Sequence, residues 1–440
     1  MSRVTSWLLN GVYATLILLA APWIAWSALR HGKYREGLAA KLWGRVPKRA
    51  DDRPCIWLHA VSVGEVQLLQ TLLEELRQRR PDAKLVISTT TKTGYDLARR
   101  KYAHYTVFYC PLDFSWAVSN ALRRIRPDLL VLTELEIWPN LILAASDFGA
   151  KIAIVNGRLS DRSYQGYRRI RPVISRILRC VDLVAVQSDQ TAQRFLDLGS
   201  PNVTATGSIK FDGAVTDRDD SRISQLRSLA NIADDEVVLL AGSTQAPEEQ
   251  YAIDVYQKLT LRYPRLRLII VPRHPQRFDE VARLLERSGI DWIRRSALEA
   301  TQSPISNFKP QILVDSVGEL SAWWGLATIG FVGGSFGTRG GQNMLEPAVH
   351  GVATCFGPNT RNFRDIVAQL IAADGARVVR HRKTFEQFVE HALADPAWAA
   401  AVGQRAKAVV LSQQGATRRT VDQLMPLVAI PENARRAAAA

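Results

Sequence analysis

Cysteine is scarce in this chain of 440 residues: there are four, and no two of them form a Cys-x-x-Cys pair. Isolated cysteines argue against a disulfide framework and against a zinc site of cysteine pairs, and they fit a reducing compartment. The acidic run Asp217–Asp220 has the spacing of metal ligands, but it lies in a polar, turn-rich stretch where solvated carboxylates are expected. We therefore predict no metal ion and no cofactor.

Charged residues are missing from Trp7–Leu29, a run of 23 positions. A helix of about 20 apolar residues spans the hydrocarbon core of a bilayer. Residues 30–49 then carry seven Lys or Arg against one acid, and positive flanks stay in the cytoplasm. A cleaved signal peptide would have a shorter apolar region with positive charge before it. The sequence thus predicts one membrane anchor helix over residues 1–30, with the rest of the chain cytoplasmic.

Acidic residues are outnumbered in this sequence, with 42 Asp and Glu against 57 Lys and Arg, which gives a formal net charge of +15. Such an excess attracts polyanions: nucleic acid, an anionic membrane or an acidic ligand. Because an anchor is predicted, we expect anionic membrane lipids as partners and no nucleic acid.

Short apolar runs alternate with amphipathic helical patterns from Cys55 onward, which predicts an α/β fold with parallel sheets covered by helices. The alternation breaks near residue 209 and then restarts. We therefore predict two Rossmann-like, doubly wound parallel-sheet domains facing a cleft, with ligands at the carboxyl ends of the strands. The predicted division is residues 31–208 for the first domain, 209–235 for a linker, 236–410 for the second domain and 411–440 for a helical tail.

A glycine-rich run, Phe331–Gly351, lacks both the dinucleotide fingerprint and the Gly-Lys-Ser/Thr of a P-loop. Gly340 and Gly341 allow close backbone approach, and a helix predicted to start near Asn343 would offer free N–H groups to an anion. The alternative is a helix cap in which Asn343 is the N-cap and Glu346 its capping-box partner. Five glycines before one helix exceed what a cap requires, so we favour phosphate or sugar binding.

Two more strand ends in the second half carry polar residues. Ser243 and Thr244 could donate hydroxyls to a phosphate, although an ordinary strand-to-helix turn explains them equally well. Arg273 and His274 end the next predicted strand. Alone they are weak evidence for a site, but they are expected at the same sheet edge as the other loops.

The first half offers charged candidates of both signs. Glu134 and Glu136 end an apolar strand, where acids are unusual, although solvated surface acids remain an alternative. Arg158 opens an Arg- and Tyr-rich stretch that suits an anionic ligand or headgroup, or is simply a solvated basic face. Lys210 lies where the domains join, as a cation of the cleft or a soluble linker residue.

The stretch Ser62-Val63-Gly64-Glu65 precedes an apolar helix and has the form of a capping box. A carboxylate at a helix start is stabilised as the anion, so its pKa falls, whereas a general base works best with a pKa near 7. Glu65 can act as a base only if its side chain turns from its own helix toward the cleft. Gly64 leaves room there for a substrate.

Eight sequence blocks, taken in order, resemble the Kdo (3-deoxy-D-manno-octulosonic acid) transferases of lipopolysaccharide biosynthesis. The blocks are "WLHAVSVGEV", "TELEIWPN", "NGRLSDRS", "VDLVAVQS", "TGSIKFD", "AGSTQAPEE", "VPRHPQRF" and "GGSFGTRGGQNMLEPA". The resemblance extends to about residue 370. It implies the GT-B glycosyltransferase architecture and an inverting transfer of Kdo from CMP-Kdo to a lipid A precursor such as lipid IVA. The expected location is the cytoplasmic face of the inner membrane.

The resemblance also implies roles for single residues. Glu65 would be the general base that deprotonates the acceptor hydroxyl, so the resemblance favours a catalytic role for Glu65 over helix capping. Lys210 would lie near the donor. The acceptor side would include Ser62, Gly64, Glu134, Glu136 and Arg158. The CMP would be held by Ser243, Thr244, Arg273, His274, Gly340, Gly341, Asn343 and Glu346.

This chain departs from the family pattern at Gln245 and Gln342, where family members often have His. Neutral Gln keeps hydrogen bonding but loses titration and cationic charge.

Two other functions stay open at this point. One is a different membrane-associated GT-B transferase that uses a UDP-sugar. The other is a membrane-tethered scaffold for anionic lipid or nucleic acid, which would leave the glycine-rich helix starts without a purpose.

Overall fold

The computed structural model describes residues 3–31, 36–213, 221–298 and 309–428. The chain divides into two compact units by its contacts. Unit 1 comprises Met1–Gly213 and Gln414–Ala440, and unit 2 comprises Ala214–Gln413.

The described part of unit 1 contains one sheet of seven parallel strands. These are β1 (Cys55–His59), β2 (Lys84–Thr89), β3 (Thr106–Tyr109), β4 (Leu129–Thr133), β5 (Lys151–Gly157), β6 (Leu183–Val186) and β7 (Val203–Ala205). Their order in the sheet is β3-β2-β1-β4-β5-β6-β7. β1 and β4 are buried along their whole length, as expected for strands with helices on both faces.

The helices of unit 1 alternate with these strands. They are α1 (Arg3–His31), α2 (Leu38–Trp43), α3 (Val63–Arg79), α4 (Lys92–Lys101), α5 (Ser115–Ile125), α6 (Pro139–Phe148), α7 (Asp161–Arg169), α8 (Arg171–Leu178) and α9 (Asp189–Asp197). α3 illustrates their pattern, since its buried Val66, Leu69, Leu73 and Leu76 recur every three or four residues. That spacing places all four on one helical face, against the sheet.

Unit 2 repeats this architecture. Its strands are β8 (Val237–Thr244), β9 (Leu266–Pro272), β10 (Trp292–Arg294), β11 (Gln311–Leu313), β12 (Ile329–Val332), β13 (Ala353–Phe356) and β14 (Ala376–Val378). Its helices are α10 (Ser221–Leu229), α11 (Glu248–Thr260), α12 (Phe278–Ser288), α13 (Leu320–Leu326), α14 (Leu345–Val349), α15 (Arg364–Ala372), α16 (Arg382–Ala394) and α17 (Pro396–Gln413). The strands pair in parallel in the order β10-β11-β9-β8-β12-β13-β14. The prediction of two parallel-sheet α/β domains is confirmed.

The predicted linker over residues 209–235 differs from the structure. The short 3-10 helix Ile209–Phe211 belongs to unit 1, and α10 belongs to unit 2. Ile223 and Leu226 of α10 are buried. The stretch is polar in overall composition, but its helix has an apolar face. Residues 214–220 lie outside the described residues.

The predicted helical tail over residues 411–440 is also divided. α17 stays in unit 2, whereas α18 (Ala416–Leu424) returns to unit 1 and packs against α3. The Asp212 carboxylate accepts hydrogen bonds from the backbone N–H groups of Gly415 and Thr417 at the start of α18. The buried Val421 and Leu424 complete the contact. Residues beyond 428 lie outside the described residues.

The predicted membrane anchor over residues 1–30 is not supported. The segment is helical, as α1, with Pro22 inside it. Within the ranges that the structure describes, no helix combines the length and the apolar character needed to cross a membrane.

Polar side chains of α1 form hydrogen bonds with the rest of unit 1. The Asn10 amide donates to Ser115 Oγ at 2.7 Å, and its carbonyl oxygen accepts from the Ser115 backbone N–H at 3.0 Å. The Tyr13 hydroxyl donates to Asp113 Oδ2 at 2.9 Å. These bonds fix part of α1 against the start of α5.

Gly403 of α17 should not tolerate a side chain. A Cβ at this position would lie 2.0 Å from the backbone oxygen of Gly351, in the turn that follows α14. We expect Gly403→Ala to lower the free energy of unfolding by about 1–3 kcal/mol, the usual cost of overpacking. Thermal unfolding measures this.

Gly166→Ala on α7 is the matched control, because a Cβ there meets nothing within 4 Å. Alanine is about 0.5–1 kcal/mol more favourable than glycine inside a helix, so the control should be neutral or stabilising. Equal unfolding temperatures for Gly403→Ala and the wild type would contradict the close contact.

Candidate active site

The polar residues of unit 1 collect at the carboxyl ends of β1, β4 and β5. β1 and β4 are neighbours in the sheet although they are not consecutive in the chain. Such a point, where the strand order reverses, is where open α/β sheets bind ligands. The loop after β1 leads to Glu65, the loop after β4 contains Glu134 and Glu136, and Arg158 follows β5.

The Glu65 carboxylate is turned back toward its own loop. Its Oε2 accepts from the Val61 backbone N–H at 2.9 Å, and its Oε1 accepts from the Ser62 hydroxyl at 2.8 Å. Ser62 Oγ is also the N-cap acceptor for the Glu65 backbone N–H, at 3.4 Å. This conformation is therefore that of a helix cap, except that the Glu65 carboxylate accepts from the Val61 N–H where a capping box would use the Ser62 N–H.

Glu65 is also tied to the neighbouring strand. The Thr133 hydroxyl, at the end of β4, lies 2.8 Å from Glu65 Oε2. With three donors around it, Glu65 is only 7% exposed. The carboxylate thus joins two strand ends, which a helix cap alone does not require.

Glu134 holds two cations at the same edge. Its Oε2 lies 3.2 Å from Arg158 Nε, and its Oε1 lies 3.1 Å from Lys210 Nζ. Its backbone has φ 55°, a left-handed conformation that is uncommon outside glycine. Lys210 therefore belongs to unit 1 and pairs with an acid, in contrast to a solvated linker lysine.

Glu136 is the carboxyl group whose protonation is most altered in this cluster. Burial, together with the negative charges of Glu65 and Glu134, raises its pKa to about 7. The Trp138 indole N–H donates to Glu136 Oε2 at 2.8 Å and partly opposes the shift. Burial and the Glu136 charge also raise the pKa of Tyr167, so α7 borders the acidic cluster.

A basic surface extends from this edge along α7 and α8. We call it the α7–α8 surface; its exposed members are Arg162, Arg168, Arg169, Arg171, Arg176, Ile170 and Val173. Ile170 is 50% exposed and Val173 54% exposed between the arginines. Apolar side chains framed by arginines suit an anionic surface with an apolar interior, such as a lipid headgroup layer.

In unit 2 the corresponding edge presents mainly cations. Arg273 and His274 are exposed after β9. Partial burial, followed by the positive charges of Arg273, Arg339 and Arg277, lowers the pKa of His274. This arginine cluster is a suitable binding site for an anion. Arg339 was missed by the sequence argument, although it lies inside the glycine-rich run.

Ser243 and Thr244 differ in their access to a ligand. Ser243 has φ 54° and slight exposure at the end of β8. Thr244 is 0% exposed, so its hydroxyl does not face a ligand in this conformation. A contact between a phosphate and Ser243 stays a prediction, and one with Thr244 would need a different conformation.

The predicted anion site at a helix start near Asn343 needs correction. α14 begins at Leu345 and has only five residues, so its dipole is small. Asn343 Oδ1 accepts from the Leu345 backbone N–H at 3.1 Å, and Asn343 Nδ2 donates to Glu346 Oε1 at 3.0 Å. Burial raises the pKa of Glu346, which the Asn343 bond partly opposes.

Three successive backbone N–H groups of the glycine-rich run bind a carboxylate of the protein itself. Those of Gly334, Ser335 and Phe336 donate to the carboxylate of Glu248, which lies at the start of α11. Glu248 was not among the residues predicted from the sequence. The sequence pattern that could have indicated it is the pair of acidic residues at the helix start in "APEEQ". That pattern is equally typical of an ordinary helix start.

Gly340 and Gly341 have φ of 90° and 78°, which explains why glycine stands at both positions. The Asn362 backbone N–H donates to the Gly340 oxygen at 3.0 Å. A Cβ at Gly334 would meet Gln342 Nε2 at 3.0 Å and Gln245 Nε2 at 3.6 Å. The side chains of the two residues that depart from the family pattern therefore both lie beside Gly334.

Residues 333–337 also have the Gly-x-Ser-x-Gly pattern of a hydrolase nucleophile elbow. Ser335 is fully buried, its hydroxyl donates to the Val332 oxygen at 2.6 Å, and Ser335 Oγ accepts from the Gly357 N–H at 2.8 Å. Ser335 is therefore structural. Among the described residues, no group of three or more His, Cys, Asp or Glu is placed to hold a metal ion.

Comparison with known sequences identifies close relatives. A family model described as "3-Deoxy-D-manno-octulosonic-acid transferase (kdotransferase)" matches residues 35–213. The 3-deoxy-D-manno-octulosonic acid transferase of Haemophilus influenzae is 31% identical over 423 residues, which cover 94% of this chain and 97% of the relative. The Bordetella pertussis enzyme of the same name is 32% identical over 432 residues, with 94% and 98% covered.

Among solved structures, a glycosyltransferase from Rickettsia africae matches with a TM-score of 0.55 and 11% identity. The match covers 86% of this chain and 99% of that one. At this identity the likeness concerns the fold alone, and it agrees with the two Rossmann-like units expected of GT-B enzymes.

We expect Glu136 to make the free energy of unfolding depend on pH. Between pH 4.5 and about 7 the folded chain keeps a proton on Glu136 that the unfolded chain has lost. The free energy of unfolding therefore falls as pH rises through this window. Glu136→Gln cannot ionise, so we expect a smaller fall from about pH 5 to pH 8, and a higher unfolding temperature than the wild type at pH 8.

The control is Glu286→Gln, which removes an exposed carboxyl group on α12 and should follow the wild-type curve. Thermal unfolding of the three proteins across pH gives the comparison. A Glu136→Gln curve parallel to that of the wild type would show that Glu136 does not carry the raised pKa.

Proposed function

The chain belongs to the 3-deoxy-D-manno-octulosonic acid (Kdo) transferase family, and we propose that it transfers Kdo from CMP-Kdo to a sugar hydroxyl of a lipid A precursor. The acceptor oxygen attacks the anomeric carbon from the face opposite the phosphate, so the configuration inverts. The bond from the anomeric carbon to the phosphate oxygen breaks, and CMP leaves. The acceptor's proton passes to a carboxylate.

The observation that carries this proposal is the carboxylate cluster at the point where the strand order of unit 1 reverses. Glu134 and Glu136 follow β4, and Glu65 is bonded to Thr133 at the end of β4. Burial and the charges of Glu65 and Glu134 raise the pKa of Glu136. Deprotonating a sugar hydroxyl needs a carboxylate within hydrogen-bond reach of it. Arg158 and Lys210 beside Glu134 give the same edge the positive charge that a phosphorylated acceptor requires.

We assign the base to Glu65, although its carboxylate is turned back toward its own loop and must exchange one of the bonds that it accepts there to reach an acceptor hydroxyl. One of its donors, the Ser62 hydroxyl, is a side-chain group 2.8 Å from Oε1 that an acceptor hydroxyl can replace. The Val61 N–H would keep the carboxylate in position during this exchange. A Cβ at Gly64 would meet only Ser62 Oγ, at 3.8 Å, so the approach beside Glu65 is open.

The donor is assigned to unit 2. Arg273 and Arg339 would bind the phosphate of CMP, and the positive potential that lowers the pKa of His274 would stabilise the leaving group. Ser243, Asn343 and Glu346 would contact the nucleoside, with Glu346 on the ribose. Because side-chain cations supply the charge, the proposal requires no metal ion.

The α7–α8 surface is assigned to the anionic face of the inner membrane, where the acceptor resides. Its arginines would attract acidic headgroups, and Ile170 and Val173 would enter the interface. The surface adjoins the acidic cluster through Tyr167, so a bound lipid would bring its sugar close to Glu65.

Glu65→Gln should strongly reduce transfer while unit 2, to which the donor is assigned, keeps its affinity for CMP. The amide keeps the shape of the side chain but cannot take a proton, so we expect kcat to fall about 10²–10⁴-fold. The measurement is transfer of radiolabelled Kdo from CMP-Kdo to lipid IVA, with CMP affinity followed by calorimetry. CMP should bind the variant and the wild type equally.

Glu136→Gln distinguishes the two candidate carboxylates. Loss of transfer in Glu136→Gln with full activity in Glu65→Gln would move the base to Glu136. Tight binding of UDP by the wild type without binding of CMP would instead contradict the donor assignment.

Removing two arginines from the α7–α8 surface should weaken membrane binding. A basic side chain near an anionic surface contributes about 1 kcal/mol, so Arg168→Gln with Arg169→Gln should reduce binding to phosphatidylglycerol vesicles about tenfold or more. Vesicle co-sedimentation measures the partition. Arg99→Gln with Arg100→Gln is the control, since it removes the same charge from the last turn of α4. An equal loss for both pairs would show that only net charge matters.

A further inference from the structure

A single buried carboxylate organises the donor-side loops of unit 2. Glu248 is 1% exposed and accepts four backbone hydrogen bonds. Its Oε2 accepts from the N–H groups of Gln245 at 2.9 Å and Gly334 at 2.7 Å. Its Oε1 accepts from Ser335 at 2.9 Å and Phe336 at 3.0 Å. Two carboxylate oxygens offer about four acceptor positions, so this group is saturated.

These four donors come from two different loops. Gln245 follows β8, and Gly334, Ser335 and Phe336 follow β12. β8 and β12 are neighbours in the sheet but far apart in the chain, so Glu248 bridges the point of unit 2 where the strand order reverses. Charged hydrogen bonds of this kind are roughly twice as strong as neutral ones.

Gly333 makes the bridge possible. A Cβ there would lie 2.6 Å from the Ser243 oxygen, 2.6 Å from Thr244 Cα and 2.8 Å from Glu248 Oε2. Only a residue without a side chain allows the two loops to approach this closely. The glycine is thus used for contact between loops within the protein.

We propose that Glu248 is a positioning residue for the donor: it occupies three successive backbone N–H groups of the glycine-rich loop and so leaves the donor's anionic groups to the arginines. Three successive N–H groups pointing to one place would otherwise form an anion-binding nest. With that nest filled by the protein's own carboxylate, a phosphate must bind elsewhere. Arg339, three residues after Phe336, is held near Arg273 and His274 by the same loop. The inference rests on the proposed CMP-Kdo donor.

Glu248→Gln tests this role with nearly unchanged shape. The amide has one acceptor oxygen and turns an NH₂ group toward backbone N–H donors, so the loop must shift. We expect the Kd for CMP and the KM for CMP-Kdo to rise about tenfold or more. The kcat at saturating donor and the KM for the acceptor should stay within about threefold. Wild-type affinity for CMP in this variant would overturn the proposal.

Glu236→Gln is the matched control. Glu236 is also a buried glutamate of unit 2; it accepts from Arg267 and from the Ala233 N–H, at the opposite end of β8. Its loss should lower the unfolding temperature without changing the Kd for CMP. If both variants weakened CMP binding equally, Glu248 would be merely structural.

Amide hydrogen exchange of the wild type tests the same idea without a variant. The amides of Gly334, Ser335 and Phe336 should be protected in the free protein, with no further protection when CMP is added. Protection that appeared only with CMP would assign these amides to the donor and overturn the proposal. If the wild type bound no CMP at all, the proposed function would fail, and protection in the free protein would still decide whether Glu248 holds the loop.

Discussion

In each unit, one buried carboxylate holds the strand-end loops in place. It lies at the start of the helix that follows a central strand. In unit 1 this is Glu65, which binds the loop after β1 and the end of β4. In unit 2 it is Glu248, which binds the loop after β8 and the loop after β12. A buried carboxylate is costly unless it is fully hydrogen-bonded, so each loop pair is fixed in the one arrangement that satisfies it.

The two carboxylates differ in the nature of their donors, and this separates their roles. Two of the three groups on Glu65 are hydroxyls, from Ser62 and Thr133, which a substrate hydroxyl can replace. All four groups on Glu248 are backbone N–H groups, which cannot leave without moving the chain. The first arrangement permits chemistry at the carboxylate, whereas the second makes the carboxylate a permanent part of the loop.

The sequence predicted the fold better than the site. Alternation of apolar runs with helical patterns is a local property, and it located both parallel sheets. The candidates at strand ends were predicted as a group because parallel strands end at a common edge. Partners were not predictable: Lys210 was placed in a linker but pairs with Glu134, and Arg339 and Glu248 were overlooked. The apolar run at the N-terminus predicted an anchor that the structure does not support.

The amino-acid sequence alone is sufficient to predict two α/β units, the family and the positions where polar residues leave buried strands. Those features depend on residues close together in the chain or on blocks in a fixed order. The fold was needed to show that Thr133 also bonds to Glu65, why the pKa of Glu136 is raised to about 7, and that Glu248 occupies three N–H groups of the glycine-rich run. Each of these depends on a partner more than 60 residues away, such as Thr133 for Glu65 and Gly334 for Glu248. Strand order and packing determine which distant groups are in contact and how far water is excluded between them.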